Sequence, residues 1–97
     1  MALAREKRFA AQLQALGHPV RLKIVRFHAR RGAQGATAGE LQGHLELPAS
    51  TLSHHLKKMV AAGVLSTHGE GTFHVYVANL ASLRAVASDL KGLGASK

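Results

Sequence analysis

PASTLSHHLKKM, residues 48–59, decides the fold, because its apolar and polar side chains separate at the spacing of an α-helix. The apolar side chains follow an i, i+4, i+7, i+8 rhythm that leaves one side of the helix to be buried. The other side carries hydroxyl, imidazole and ammonium groups and no carboxylate, a set that suits phosphates and base edges. The predicted buried residues are Leu52, Leu56, Met59 and Val60, and the predicted exposed residues are Ser50, Ser53, His54, Lys57 and Lys58.

The composition indicates one basic domain. Because the chain has 97 residues and is 46% hydrophobic, residues 1–97 are predicted to share a single core. Thirteen Lys and Arg against five Asp and Glu give a formal charge of +8, which favours a polyanionic partner. No apolar run could span a membrane and the N-terminus does not resemble a secretory signal, so we expect a cytoplasmic location. The absence of cysteine excludes disulfides and thiolate metal sites within the chain.

Three helices are predicted before the quoted stretch. The first covers residues 3–16, where apolar side chains recur at helical spacing. The second opens at Pro19, which fits a first helical turn, and residues 32–36 are predicted to be a turn that begins with a terminating glycine. Thr37 and Glu40 match the capping box, in which the two side chains satisfy each other's backbone N–H groups. They start a short third helix.

The pattern changes to a period of two after the quoted stretch. Residues 64–68 and 72–78 alternate between apolar and polar side chains and predict the two strands of a β-hairpin. Gly69-Glu70-Gly71 is the predicted turn between them. A last helix is predicted from about Leu80, with apolar residues at a 3-4-3 spacing that could pair with another helix.

This order of elements, α-α-α-α-β-β-α, is that of a winged helix-turn-helix, mainly α with a small β-hairpin. In that architecture the polar-faced helix enters the major groove and the hairpin touches the flanking backbone. A short chain leaves much surface exposed, so we expect two copies to pair through their first and last helices. The predicted layout is a helix-turn-helix at 37–62, a wing at 64–78 and dimerisation helices at 1–16 and 80–93. The predicted dimer interface consists of Phe9, Leu13, Leu16, Leu83, Ala87 and Leu90.

Three segments, in order and correctly spaced, resemble the ArsR/SmtB family of bacterial winged-helix repressors. ALGHPVRLKIVRF, residues 15–27, resembles the opening of the family's second helix. GELQGHLELPASTLSHHLKKMVAAGVL, residues 39–65, resembles its helix-turn-helix, and THGEGTFHVYVAN, residues 67–79, resembles its wing. The resemblance implies a homodimer that binds an inverted-repeat operator in double-stranded DNA, represses transcription and is released by an inducer.

The chain departs from the family at its metal sites. The family's arsenic and cadmium sensors carry a Cys-x-Cys pair near the start of the third helix, where this chain has Thr37 and Gly39. Its zinc sensors place Asp and His ligands in the last helix, where this chain has Asp89 and no histidine. The resemblance therefore implies DNA binding, and we predict no metal at either family site.

The residues predicted to contact DNA lie along the exposed side of the fourth helix and at the tip of the wing. Hydroxyl and imidazole groups can reach base edges, whereas ammonium groups more commonly meet phosphates. Glycines at the wing tip permit positive φ and let the backbone approach a phosphate. The predicted set is Ala49, Ser50, Thr51, Ser53, His54, Lys57, Lys58, His68, Gly69, Gly71 and Thr72.

The histidines carry several alternatives. His54 and His55 point about 100° apart on a helix, so they cannot share one metal ion. We expect His54 to face DNA and His55 to anchor the helix to its own domain through a ring N–H. A three-residue turn in the hairpin would pair Thr72 with His68 and Ser66 with His74. The two histidines would then lie diagonally on one face, as part of a polar outer surface or as a metal-binding pair.

Three other residues keep two interpretations each. His28 lies on the helix face of Ile24 and Val25, where it is either a packed, hydrogen-bonded histidine or a group that responds to pH or a ligand. Arg21 either contacts a phosphate or forms a salt bridge that fixes the second helix. Thr51 either contacts DNA or helps to cap and pack the start of its helix.

The sequence favours a regulator over an enzyme. Its five carboxylates are scattered, no nucleophile lies in a recognisable motif, and no glycine-rich phosphate loop is present. We therefore predict a sequence-specific DNA-binding transcriptional regulator, a repressor, with no cofactor and no membrane partner. The alternatives are a His-based zinc- or nickel-responsive repressor and a winged-helix module for protein interaction or nucleoid binding.

Overall fold

The computed structural model describes residues 2–70 and 73–95. Within them, five α-helices surround a small antiparallel sheet, which confirms the predicted winged helix-turn-helix. No described helix has both the length and the apolar composition that crossing a membrane requires. The elements are α1 (Ala2–Leu16), α2 (Pro19–Arg31), a short 3-10 helix (Gly32–Gln34), β1 (Ala36–Thr37), α3 (Ala38–Leu45), α4 (Ala49–Ala61), β2 (Leu65–Glu70), β3 (Phe73–Ala78) and α5 (Leu80–Ala95).

The core lies where α2, α3 and α4 meet the sheet. Ile24 of α2, Leu41 of α3 and Met59 of α4 are fully buried together with Leu52 and Leu56. Burying each of these side chains contributes roughly 1.5–3 kcal/mol. The predicted stripe of α4 is therefore the one that the core uses, and Val60, also expected to be buried, lies half-buried at its margin.

Side chains close the starts of α2 and α3. The Nδ1 atom of His18 accepts a hydrogen bond from the backbone N–H of Val20 at 3.1 Å, so His18 caps α2. The predicted capping box at the start of α3 is confirmed, because the side chains of Thr37 and Glu40 bond each other's backbone N–H groups. Glu40 also forms an ion pair with Arg31, which joins the end of α2 to the start of α3.

A residue with positive φ lies before α4 and another lies after it. Glu46, at φ 54°, ends α3 and lets the chain turn towards Pro48, which caps the start of α4. Gly63, at φ 78°, follows Ala62, the residue that caps the end of α4. The N–H of Val64 then bonds the carbonyl of Met59 at 3.1 Å, and that of Gly63 bonds a carbonyl in the same turn, as in a Schellman motif. The chain leaves α4 directly into β2.

The sheet has one strand more than the sequence predicted. The segment 32–36, expected to be a turn, forms the 3-10 helix and leads into β1, which pairs with β3. The order in the sheet is β1-β3-β2, with Ala36 opposite Tyr76 and Thr37 opposite Val75. A strand of two residues is too short to show an alternation in sequence, so only its pairing reveals it.

The hairpin has a different register from the predicted one. Glu70 pairs with Phe73, so β2 runs through the residues expected to form the turn, and Gly71 and Thr72 lie outside the described residues. His74 lies opposite Gly69, three residues further along β2 than expected. An odd shift turns side chains to the other face of a strand. His68 and His74 therefore lie on opposite faces of the hairpin, and the metal-binding alternative for this pair is wrong.

His28 joins α2 to the sheet. Only 1% of the residue is exposed. Its Nδ1 atom lies 3.0 Å from the carbonyl oxygen of Ile24, and its Nε2 atom lies 3.1 Å from that of Tyr76. The structure thus favours the packed, hydrogen-bonded interpretation of this histidine.

Gly35 is needed at the junction before β1. Its φ is 69°, and a Cβ atom there would lie 2.5 Å from the carbonyl oxygen of Tyr76. We predict that Gly35→Ala lowers the free energy of unfolding by at least about 2 kcal/mol, measured by urea denaturation. Gly43→Ala is the matched control, because a Cβ there meets nothing within 4 Å. The control should be neutral or stabilising by up to about 1 kcal/mol, and equal losses in both variants would contradict the prediction.

Candidate nucleic-acid interface

The exposed side of α4 presents a row of polar side chains. Ser50, Ser53, His54 and Lys57 recur at i, i+3, i+4 and i+7, and all four are exposed. The buried residues of this helix lie on its other side and hold it against the core. The row therefore combines two hydroxyls, an imidazole and an ammonium group on a rigid support.

The start of α4 is open to solvent. Pro48 caps the helix without a side-chain hydrogen bond, and Ala49, Ser50 and Thr51 are exposed. The first backbone N–H groups of a helix have no partner within it and point along its axis, so they form a favourable place for an anion. Thr51 makes no capping bond, which removes one of its two interpretations.

His54 and His55 have different roles in the structure. His54 is exposed, whereas only 6% of His55 is exposed. The ring of His55 packs on that of His18, with the centroids 4.5 Å apart. The Nδ1 atom of His55 is buried and has no hydrogen-bond partner among the described residues. His55 does anchor α4 to α2, but through ring packing and not through the predicted N–H bond.

The surroundings of His55 disfavour its charged form. Burial, and then the charges of His18, Arg21 and His54, lower the pKa of His55 below its ordinary value of 6.5. Because the described neighbourhood supplies cations and no carboxylate, protonation here would add a buried charge without a partner. Burial and the neighbouring cations therefore favour the neutral imidazole where α4 meets α2.

Lys57 and Lys58 lie in different surroundings. Lys57 belongs to the exposed row, whereas Lys58 lines a cleft of about 270 Å³ behind that row. We name it the α1–α2–α4 cleft. Its lining includes Ala11, Gln14 and Ala15 of α1, Arg21 of α2, and Lys58 and Ala61 of α4.

The structure describes part of the predicted wing surface. His68 and Gly69 are exposed near the end of β2, whereas Gly71 and Thr72 lie outside the described residues. Gly69 lies within β2 and pairs with His74, so it belongs to the strand and not to the predicted turn.

Sequence reasoning missed a second basic surface. Lys23, Arg26 and Arg30 follow one another at i, i+3 and i+7 on α2, a spacing that was present in the sequence. Together with Phe27 and His44 they line a groove of about 470 Å³ between α2 and α3, which we name the α2–α3 groove. The rings of Phe27 and His44 pack at 4.8 Å.

The residues predicted at the dimer interface divide by exposure. Phe9, Leu13, Leu16 and Leu83 are half-buried within their own chain, and Leu16 and Leu83 pack on its core. Ala87 and Leu90 are exposed on α5. Since α1 and α5 contact each other within one chain, they form one surface with an exposed apolar portion.

Comparisons with known proteins agree with this geometry. A family model described as "Helix-turn-helix domain" matches residues 16–68, more than half of the chain. The HTH-type transcriptional regulator YgaV of Escherichia coli is 31% identical over 90 residues, which cover 93% of this chain and 89% of YgaV. The chain belongs to the helix-turn-helix transcriptional regulators. The regulator is therefore a DNA-binding protein.

Solved structures extend the likeness to nearly the whole regulator. An ArsR-like transcriptional regulator from Rhodococcus is 24% identical, with a TM-score of 0.78 over 95% of this chain and 84% of that one. The transcriptional repressor BigR from Xylella fastidiosa is 25% identical, with a TM-score of 0.69 over 100% of this chain and 99% of that one. The regulator thus has the winged helix-turn-helix fold of ArsR-family proteins. Among its described residues, no group of three or more His, Asp or Glu side chains is placed to hold a metal ion.

The lowered pKa of His55 predicts that a lower pH reduces the stability of the folded regulator. The unfolded chain binds this proton more readily, so the free energy of unfolding should fall as the pH drops below about 6.5, by at most about 1.4 kcal/mol per pH unit. Urea denaturation at a series of pH values measures this slope. His55→Gln should flatten it, whereas His44→Gln, at an exposed site, should leave it unchanged. An unchanged slope in His55→Gln would contradict the assignment.

Proposed function

We propose that the regulator is a homodimeric, cytoplasmic transcriptional repressor without enzymatic activity, which binds an inverted-repeat operator through α4 and the wing. The observation that carries the proposal is the exposed row of α4. It offers donors and acceptors for base edges and an ammonium group for phosphate, with no carboxylate that would repel DNA. That BigR is itself a transcriptional repressor supports the direction of regulation.

The proposal gives each part of α4 a separate task. Ser53 and His54 read base edges, because they lie in the middle of the exposed row. Lys57 and Lys58 bind DNA phosphates. At the start of the helix, the free N–H groups of Ala49 to Thr51 approach the DNA backbone. His68 and Gly69 carry the described part of the wing contact, and Gly71 and Thr72 complete it.

A second copy gives the site its symmetry. Pairing through α1 and α5 would cover the exposed apolar surface that Leu90 and Ala87 leave on each chain. Two α4 helices about 34 Å apart would then face half-sites one turn of DNA apart, which matches an inverted repeat.

The division between base and phosphate contacts predicts two mutant phenotypes. Ser53→Ala combined with His54→Ala should relax sequence preference, and Lys57→Ala should weaken binding to all sequences and reduce the salt slope by about 0.9 per lost phosphate contact. Selection of DNA fragments from a random pool, followed by fluorescence anisotropy on selected and random duplexes, measures both effects. Lys91→Ala, far along α5, is the charge-matched control. An equal loss on selected and random DNA for the variant with Ser53→Ala and His54→Ala would refute the assignment.

The dimer surface predicts an effect on assembly. Leu90→Arg should convert the dimer into monomers, because the buried surface would then have to accept an unpaired charge. Sedimentation equilibrium measures the change. Leu22→Arg is the matched control, since Leu22 on α2 is 45% exposed and Leu90 is 46% exposed. A monomeric wild-type protein, or a dimer that tolerates Leu90→Arg, would refute the α1–α5 interface.

A further inference from the structure

The α1–α2–α4 cleft contains a charged side chain without a partner. The Nε atom of Arg21 is buried, and among the described residues Arg21 forms no hydrogen bond or ion pair. Arg31 differs, because its side chain bonds both the carbonyl of Gly35 and the carboxylate of Glu40. The salt bridge suggested for Arg21 is therefore not present in the described part of the chain. A buried donor that lacks a partner destabilises the protein, more so when it is charged.

A second cation faces the same space. Lys58 of α4 lines the cleft together with Arg21 of α2, and the amide of Gln14 lies on the α1 side. No carboxylate is among the lining residues. The remaining walls carry small alanine side chains, which leave the volume of about 270 Å³ open. This is smaller than the roughly 300–1,000 Å³ of pockets for drug-sized ligands.

We propose that the α1–α2–α4 cleft binds a small oxyanion through Arg21 and Lys58, and that the bound anion weakens DNA binding. A guanidinium with free donors and an ammonium group are the partners that phosphate, sulfate or carboxylate oxygens require. The small alanine walls leave room for such an anion beside both cations, and no carboxylate lines the cleft to compete with it.

The electrostatics around His55 supply an independent reporter. Arg21 is one of the charges that lower the pKa of His55. An anion beside Arg21 would offset that charge, so its binding should raise the pKa of His55 towards the ordinary value. An anion in the α2–α3 groove would not compensate Arg21 in the same way, because Lys23 lies about 200° from Arg21 around the helix axis.

The effect on DNA follows from the position of Lys58, and this half of the proposal rests on the proposed function. Lys58 is one residue from Lys57 of the exposed row, and its flexible side chain is the predicted partner of a DNA phosphate. When an anion occupies the cleft, the ammonium group of Lys58 is held behind α4. The cleft also touches α1, so the occupant would bridge the proposed dimerisation helix and the helix-turn-helix.

Titration of the full-length protein with inorganic phosphate, without DNA, tests the site. At constant ionic strength set with chloride, NMR should show saturable shifts at the amides of Ala11 and Ala61 and a rise in the pKa of His55. Sulfate and acetate, titrated separately, distinguish the anion classes. Arg21→Gln and Lys58→Gln should each weaken phosphate binding by roughly tenfold or more, whereas Arg21→Lys should retain part of it.

The controls are Arg26→Gln and Lys23→Gln, which remove the same charges from the α2–α3 groove. Both should bind phosphate as the wild-type protein does. Thermal melts verify that every variant is folded. The site is refuted if Arg21→Gln binds phosphate normally, if the controls lose binding instead, or if the shifts rise linearly and spread over all basic side chains.

Fluorescence anisotropy with a random-sequence DNA duplex tests the regulatory half. Replacing chloride by phosphate at equal ionic strength should weaken binding by the wild-type protein several-fold and leave Arg21→Gln unaffected. Saturable phosphate binding without any change in DNA affinity would overturn the regulatory half. If the wild-type protein binds no DNA, the proposed function fails, while the titration without DNA still decides the anion site.

Discussion

The burial of one stripe of α4 is the constraint on which the rest of the structure depends. Leu52, Leu56 and Met59 are fully buried against Ile24 of α2 and Leu41 of α3, and together they contribute several kilocalories per mole. A helix held along one stripe has no freedom to rotate, because a turn about its axis would expose that surface. The direction of the row from Ser50 to Lys57 is therefore fixed by the buried side chains on the other side of the helix.

The arrangement of the charged side chains follows from the small number of carboxylates, five against thirteen Lys and Arg. Among the described residues, the one ion pair joins Arg31 to Glu40 and secures the end of α2 against α3. The other cations of α2 and α4 line surfaces: the exposed row of α4, the α2–α3 groove and the α1–α2–α4 cleft. The same imbalance adds to the effect of burial on His55, whose pKa is lowered because its neighbours include cations and no compensating acid.

Patterns that repeat within one element were predictable from the sequence. The helical spacing of α4 identified its buried and exposed sides, and the Thr37–Glu40 capping box identified the start of α3. The order of elements indicated the winged helix-turn-helix. Each of these depends on neighbours a few residues apart, so local geometry alone produces it.

Contacts between distant elements were not predictable. The two residues of β1 show no alternation, and the hairpin register depends on where β2 ends, which moved His68 and His74 to opposite faces. The packing of the His18 ring on the His55 ring depends on how the start of α2 meets α4, and those two residues are distant in sequence.

The sequence by itself therefore determined which residues of this regulator form helices and which side of α4 is polar, because helical periodicity is written in the chain. Only the tertiary structure decided that Lys57 faces outwards while Lys58 joins Arg21 in a cleft. The two lysines are adjacent in sequence, and it is the packing of α1 and α2 behind α4 that separates their surroundings.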